Sequence, residues 1–386
     1  YDVNKEVYSM LRYGVNVRPD VGLNKESVYL INWQEPHKNH FAIAEEVTVK
    51  GLHNKRPDIV IYINGIAVGV LELKRSTVSI SEGIRQNLDN QQHMFIRQFY
   101  NTVQYVLAGN DTEGLAYAAI ETKEKYFLHW KEVSEDLNPN DQYLLELTQP
   151  VRKLASTKEL KLDRNIIELL NKERFIELFH DFIVYDRGQK KLCRPNQYFG
   201  VKAAQDFVAR KECGILWHTQ GSGKSLTMVW LAKWIREFNY NARVLIITDR
   251  DELDKQIEKV FIGVEEKIVR TKNGRDLLKK LNDNSPWLIC SLIHKFGGKE
   301  EPDEADMTNY LDDLRRSVPR DFKAKGDFIV FVDECHRTQT GELHKAMKQF
   351  LPDAMFIGFT GTPLLKADKK SSMEVFGRYI HTYKFD

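Results

Sequence analysis

Cysteine is scarce in this sequence: four residues in 386, at Cys193, Cys213, Cys290 and Cys335, with no two within four positions of each other. That spacing excludes a Cys-x-x-Cys metal pair, and so few thiols in so long a chain make a poor disulfide framework. Reduced intracellular thiols are the expectation. No apolar run of about 18 residues occurs, so no membrane-spanning helix is expected. The start, Tyr1-Asp2-Val3-Asn4, has no signal peptide and no initiator methionine, and the end, Lys384-Phe385-Asp386, shows no clear stop. The reading is of a piece of something longer. A surplus of one charge is missing too: the formal net charge is +2. The molecule is not a polycation, and any nucleic-acid surface must be a local patch.

What is present is ordinary globular material, 42% hydrophobic and 29% charged, long enough for two or three domains. No internal repeat or low-complexity tract appears. Ile59–Ile63 and Ile66–Leu73 read as two strands of a hairpin joined by Asn64-Gly65, a strong turn signal. From Ile84 to about Val106 the pattern is mostly helical, and Gly114 to Trp130 returns to short β-like runs. The polar stretch Ser134 to Asp141 is a candidate boundary. Residues 143–183 look helical, with Phe175, Ile176, Leu178, Phe179, Phe182 and Ile183 at packing spacing. Beyond Cys213, five apolar runs alternate with amphipathic segments: Gly214–Trp217, Val244–Thr248, Trp287–Ser291, Phe328–Asp333 and Met355–Thr360. That alternation predicts an α/β fold, a parallel sheet with helices on both faces. The organisation expected is a domain over 1–140, a helical connector over 141–190 and a second domain over 191–386.

His218-Thr219-Gln220-Gly221-Ser222-Gly223-Lys224-Ser225 follows a strand and opens a helix. It matches the phosphate loop GxxxxGK[ST] except for His218 in place of the first glycine. Gly221, Ser222 and Gly223 let backbone N–H groups close around phosphate oxygens, and the helix N-terminus favours an anion. Lys224 can reach the β- and γ-phosphates of ATP, and the Ser225 hydroxyl can ligate Mg²⁺. The strand Phe328–Val332 ends in Asp333 and Glu334. Asp333 would hold Mg²⁺ mostly through water, and Glu334 would orient and polarise the attacking water. An Asp-Glu pair alone is a common start to a loop. Its place after the phosphate loop, with two strands between, makes it specific.

Upstream, Pro57-Asp58 and Glu72-Leu73-Lys74 match PD-(D/E)xK. Phosphodiester hydrolysis at neutral pH needs a metal to acidify water and neutralise the phosphate. Asp58 and Glu72 supply ligands for Mg²⁺, and Lys74 positions the nucleophile. Strand alternation puts Glu72 and Lys74 on one face, with Leu73 turned to the core. The hairpin register then matters. A plain two-residue turn pairs Asp58 with Leu71 and sends Glu72 to the opposite side. Shared metal binding demands Asp58 opposite Glu72, with their carboxylates about 4–6 Å apart. That requires a three-residue loop, Asn64-Gly65-Ile66, or a β-bulge, for which Gly69 is the candidate.

These residues carry two resemblances. Asp333-Glu334-Cys335-His336 resembles the DExH box of superfamily 2 helicases and translocases. Thr360-Gly361-Thr362-Pro363 is similar to that family's third motif, and Leu245 to Leu253 to its DNA-contacting motif Ia. Gln197 sits where the family often reads adenine. Arg56-Pro57-Asp58-Ile59-Val60, Leu71-Glu72-Leu73-Lys74, Ala108-Gly109-Asn110-Asp111, the phosphate loop, Asp333 to Arg337 and Gly358 to Pro363 together resemble the restriction (motor) subunit of type I restriction enzymes. The resemblance implies a PD-(D/E)xK nuclease domain followed by a RecA-like superfamily 2 motor domain. It implies ATP and Mg²⁺ as cofactors, double-stranded DNA as substrate, and Asp58, Glu72 and Lys74 as the cleavage triad. The family's Gln-x-x-x-Tyr element has its nearest fit at Gln91, with Phe95 for tyrosine. The family also implies a second RecA-like domain, absent here, methyltransferase and specificity subunits as partners, and the cytoplasm of a bacterial or archaeal cell. A repair helicase–nuclease and an ATP-binding module inactive as an isolated fragment are the alternatives.

Overall fold

A computed structural model describes the chain except residues 21, 23, 133–141, 249–250, 293–311, 313–315, 319–321, 336–339, 363–372, 374–375 and 385–386. The polar boundary at 134–141 therefore lies outside the described residues, as do Asp249, Arg250, His336, Arg337 and Pro363. The rest divides into two compact units, one of Tyr1–Glu132 with Glu146–Pro195, the other of Val133–Leu145 with Asn196–Asp386. The helical segment after 146 thus packs into the first unit.

That unit begins with helix α1 (Asp2–Tyr13) and a small ribbon of β1 (Val15–Val17) and β2 (Glu26–Val28). Strands β3 (Phe41–Glu45), β4 (Ile59–Ile63) and β5 (Ile66–Leu73) follow, then helix α2 (Ile80–Asn90) and strands β6 (Tyr105–Asn110), β7 (Gly114–Ala118) and β8 (Leu128–His129). The six strands from β3 to β8 form one sheet in sequence order. Only β5 and β6 run parallel, because α2 carries the chain back across one face between them. The stretch expected to be helical to Val106 stops at Asn90. A 3-10 turn (Arg97–Asn101) and β6 take its remainder. Gly83 makes α2 lie close: a Cβ there would stand 3.2 Å from Ala108 Cβ and 3.5 Å from Lys74 Cγ.

The hairpin of β4 and β5 keeps the two-residue turn, with Asn64 at φ 51° and Gly65 at φ 80°. Near the turn Ile63 pairs with Ile66 and Tyr62 with Ala67, but Ile61 pairs with Gly69, so Val68 is an extra residue. This β-bulge shifts everything below it by one position, and Ile59 faces Leu71. Asp58 thereby comes opposite Glu72.

Helices α3 (Gln142–Ala155), α4 (Lys161–Leu170) and α5 (Lys172–Asp181) and the hairpin of β9 (Ile183–Asp186) and β10 (Gln189–Leu192) follow. A polar knot pins the N-terminus. Asn4 Nδ2 donates to the carbonyls of Tyr100, Asn101 and Val103 at 3.1, 3.0 and 2.8 Å, and Tyr185 Oη donates to Asn4 Oδ1 at 2.6 Å. Lys190 Nζ joins the same Asn4 oxygen at 3.1 Å, fully buried, and burial holds its pKa well below the usual lysine range.

The second unit holds α6 (Pro195–Ala209), β11 (Gly214–His218), α7 (Lys224–Phe238), β12 (Ala242–Thr248), α8 (Asp251–Gly263), β13 (Val269–Arg270), α9 (Gly274–Asn282), β14 (Leu288–Leu292), β15 (Asp327–Asp333), α10 (Thr340–Phe350), β16 (Met355–Thr360) and β17 (Tyr379–Tyr383). All seven strands run parallel in the order β13-β14-β12-β15-β16-β11-β17. The five expected runs are its inner strands, and their near-continuous apolar character follows from burial on both faces. A core of Ile215, Leu245, Ile247, Ile289, Val330 and Phe356 runs through the sheet. The expected α/β class holds for both units. Among the described residues no helix is long and apolar enough to cross a membrane.

Candidate nuclease and ATP sites

The bulge brings the two upstream carboxylates together. Asp58 Oδ2 accepts from the Leu73 N–H at 2.7 Å, which fixes it across the strand pair. Glu72 is fully buried while Leu73 is only half-buried. Leu73 is not the residue turned to the core that strand alternation suggests, because α2 covers the face that Glu72 and Lys74 share. Gln86 on that helix bridges the two: its Nε2 donates to Glu72 Oε2 at 2.6 Å, and Lys74 Nζ donates to its Oε1 at 2.6 Å. Asn90, one turn on, donates to Glu72 Oε1 at 3.0 Å. Burial, then the facing Asp58 carboxylate, pushes the Glu72 carboxyl up to about 8, with Lys74 pulling the other way.

Such a pair is the donor set a hard divalent cation takes. Two carboxylates converge on one spot, and the more buried is reluctant to ionise without a positive partner. Asp58 and Glu72 would hold the ion and Lys74 would flank it.

Gln91 does not take part. Its Nε2 donates to Asn87 O at 3.0 Å and its Oε1 accepts from Glu121 N at 2.7 Å, both structural bonds. The glutamine that reaches Glu72 is Gln86, and Asn90 stands where the Gln-x-x-x-Tyr pattern would put tyrosine. Sequence reasoning missed both. The signal was there: Asn87 and Asn90 interrupt the buried stripe of Ile80, Gly83 and Ile84. Polar residues on the apolar stripe of a helix need a partner inside.

In the second unit the ATP-site motifs meet at the C-terminal edge of the sheet, where β15, β16 and β11 lie side by side. Gly221 and Gly223 take φ 82° and 87°, and Gly223 caps α7. The hydroxyls of Thr219 and Ser222 are buried within the loop and find no hydrogen-bond partner among the described residues. Orphaned donors around a glycine cradle at a helix N-terminus suit an anion such as the ATP phosphates. Lys224 Nζ lies 3.9 Å from Glu334 Oε1, and Gly361 N donates to Glu334 Oε2 at 3.4 Å. Gly361 lies close to the loop lysine: a Cβ there would stand 2.8 Å from Lys224 Nζ, the flexible end of that side chain. The third motif thus lies against both Lys224 and Glu334. Glu334 N donates to Asp333 Oδ1 at 3.0 Å, and Glu334 sits at φ 49°, a strained backbone of the kind stored at functional turns. Gln197 is buried against the loop, its Nε2 donating to Gly223 O at 3.0 Å.

His218, in place of the usual glycine, is buried beneath the loop. Its Nε2 lies 2.9 Å from His381 Nδ1 on β17, and burial depresses both imidazoles, His381 to about 4. Both rings are therefore neutral at pH 7.

The two sites define a chain that joins a nuclease-type fold to an ATPase fold, and the comparisons agree. Residues 1–125 match the family described as type I restriction enzyme R protein N terminus. Residues 196–386 match the SWI2/SNF2 ATPase family. Across almost its whole length the chain is related to type I restriction endonuclease subunits, as its motifs implied. The putative MjaIXP endonuclease subunit of Methanocaldococcus jannaschii is 28% identical over 99% of this chain and 37% of its own length. The SsaAORF53P subunit of Staphylococcus saprophyticus is 27% identical over 93% of this chain and 36% of its own. The HindI subunit of Haemophilus influenzae is 26% identical over 98% and 37%. The chain thus spans little more than a third of the curated relatives it matches.

Proposed function

We propose that this chain is the nuclease and first motor portion of a type I restriction endonuclease. In this reading the whole protein translocates double-stranded DNA with ATP hydrolysis and cleaves it in a Mg²⁺-dependent reaction, alongside methyltransferase and specificity subunits. The observation that carries it is the bulge at Val68-Gly69, which sets Asp58 against Glu72 with Lys74 on the same face. In a strand pair without a catalytic role, no local reason exists to bury a glutamate beside an aspartate.

The roles divide by geometry. Asp58 and Glu72 hold Mg²⁺, which when bound acidifies water and neutralises the scissile phosphate. Lys74, steered by Gln86, orients the nucleophile. In the motor unit the loop of Gly221, Ser222 and Gly223 wraps the phosphates, Lys224 faces the β- and γ-phosphates, and Ser225 and Asp333 hold the nucleotide's Mg²⁺. Glu334 positions the attacking water, and Gln197, beside the loop, reads adenine. The test is Mg²⁺-dependent nicking of DNA by the parent and by Asp58→Asn. Nicking that persists in Asp58→Asn at the parental rate would refute the nuclease assignment.

A further inference from the structure

We propose that His381 is a positioning residue for nucleotide binding, donating its Nδ1 hydrogen to His218 and so fixing the first residue of the phosphate loop. The inference rests on the ATP-site reading above and deepens it. His218 stands where the usual loop has glycine. Both rings are buried, with His218 Nε2 at 2.9 Å from His381 Nδ1. Both are neutral at pH 7, because burial disfavours the charged ring. Only one hydrogen therefore lies between them, and the surroundings decide which ring carries it.

His381 Nε2 is buried and finds no hydrogen-bond partner among the described residues. A neutral imidazole carries its hydrogen on one of its two nitrogens. A hydrogen on Nε2 would leave a buried N–H unpaired, the costlier kind of orphan. With the hydrogen on Nδ1, the orphan is only a lone pair. His381 Nδ1 is thus the donor and His218 Nε2 the acceptor, which leaves the hydrogen of His218 on its own Nδ1.

The bond matters because of where it is made. Strand β17 ends the sheet and pairs with β11, setting Trp217 against Thr382 and His218 against Tyr383. One residue on, Thr219 N donates to the Tyr383 carbonyl at 3.2 Å. Helix α6 closes on the same ring: a Cβ at Gly200 would stand 2.7 Å from His218 Cε1 and 3.0 Å from its Nε2. The residue that opens the loop is thus held by both α6 and β17. Backbone fixed before the phosphates arrive need not be ordered by them, so this hold is read as nucleotide affinity.

The experiment measures binding of a fluorescent ATP analogue with Mg²⁺ to the full 386-residue chain. Nitrogen NMR of histidine-labelled protein reports which ring nitrogens carry hydrogen. The variants are Lys224→Ala, His381→Leu, His381→Asn, His218→Gly and the His218→Gly/His381→Leu double. Leucine keeps the bulk of the ring and drops the donor, whereas the asparagine amide nitrogen falls where Nδ1 was. His381→Leu is expected to weaken binding about tenfold, the worth of one buried hydrogen bond. His381→Asn should restore most of that loss although it removes more volume. A packing role predicts the reverse order. In the His218→Gly background the acceptor is gone, and His381→Leu should have no further effect. In the parent both rings should carry hydrogen on Nδ1, a measurement that needs no variant to fold. Parental affinity in His381→Leu, asparagine no better than leucine, additive losses in the double variant, or a hydrogen on His381 Nε2 overturns the inference alone. A parent that does not bind the analogue, or a Lys224→Ala variant that binds it as tightly, overturns the ATP-site reading and this inference together.

Discussion

Glu72→Gln replaces a buried carboxyl by an amide of the same shape, and its effect on stability has a definite sign. In the folded chain Glu72 titrates at about 8 instead of 4.5. Between those values the folded protein keeps a proton that the unfolded chain has released. The stability Glu72 contributes is therefore fully present below about pH 4.5 and is lost as the pH rises through about 8. At about 1.36 kcal/mol per pKa unit the ceiling is near 5 kcal/mol. Relaxation and water entry screen a buried carboxylate, so about 2 kcal/mol is the working figure. For a unit of this size that is a shift of roughly 4–8 °C in the unfolding midpoint. The assay is calorimetric unfolding of parent and variant in chelator from about pH 5 to about pH 9. Taking parent minus variant cancels the titrating groups that do not interact with Glu72, leaving Glu72 with its coupled neighbour Asp58. The difference should fall steadily across the window in chelator. With Mg²⁺ present the ionised pair gains a counterion, and the fall should be offset in the parent alone. Parallel profiles for the two proteins would refute the argument that Glu72 is buried against Asp58 without a cation.

Three further outcomes follow from the same geometry. Lys224→Ala should abolish nucleotide binding by equilibrium fluorescence, whereas Glu334→Gln should bind ATP and lose at least about 10²-fold in any turnover. Gly200→Ala should weaken nucleotide binding about tenfold, or about 1.4 kcal/mol, because its Cβ would stand 2.7 Å from His218 Cε1 under the phosphate loop. Unchanged affinity would mean that His218 does not support the loop. Arg174 and Glu132 form a buried ion pair, to which Trp130 Nε1 also donates at 3.0 Å. Arg174→Leu leaves the Glu132 charge buried and should cost about 3–5 kcal/mol by chemical denaturation, most of it recovered in the double variant with Glu132→Leu.

Much of this was legible one segment at a time. The hairpin strands Ile59–Ile63 and Ile66–Leu73 were read to the residue, since alternation and Asn64-Gly65 are local signals. The inner strands of the parallel sheet were found because burial on both faces makes them almost wholly apolar. Strand β6 was missed, because its small apolar residues continue a run that resembles helix. The short edge strands β13 and β17 lack a long apolar run, and they exist by pairing with a neighbour already in place.

The residue types that bear the chemistry, and their order along the chain, belong to the sequence: two carboxylates and a lysine in one hairpin, a phosphate loop at a strand–helix junction, an acidic pair at a strand end. Which of them meet, and what holds them, was decided by tertiary structure. Asp58 faces Glu72 because of one bulged residue, Val68, and a single-residue shift leaves the composition of a strand unchanged. Gln86 serves Glu72 and Lys74 and Gln91 does not, because the close seat of α2 at Gly83 selects one turn of the helix. His218 meets His381 across 163 positions of sequence, and Asn4 holds the turn that carries Tyr100 across 96. Such bonds depend on where distant backbones come to rest, which no local window of sequence contains.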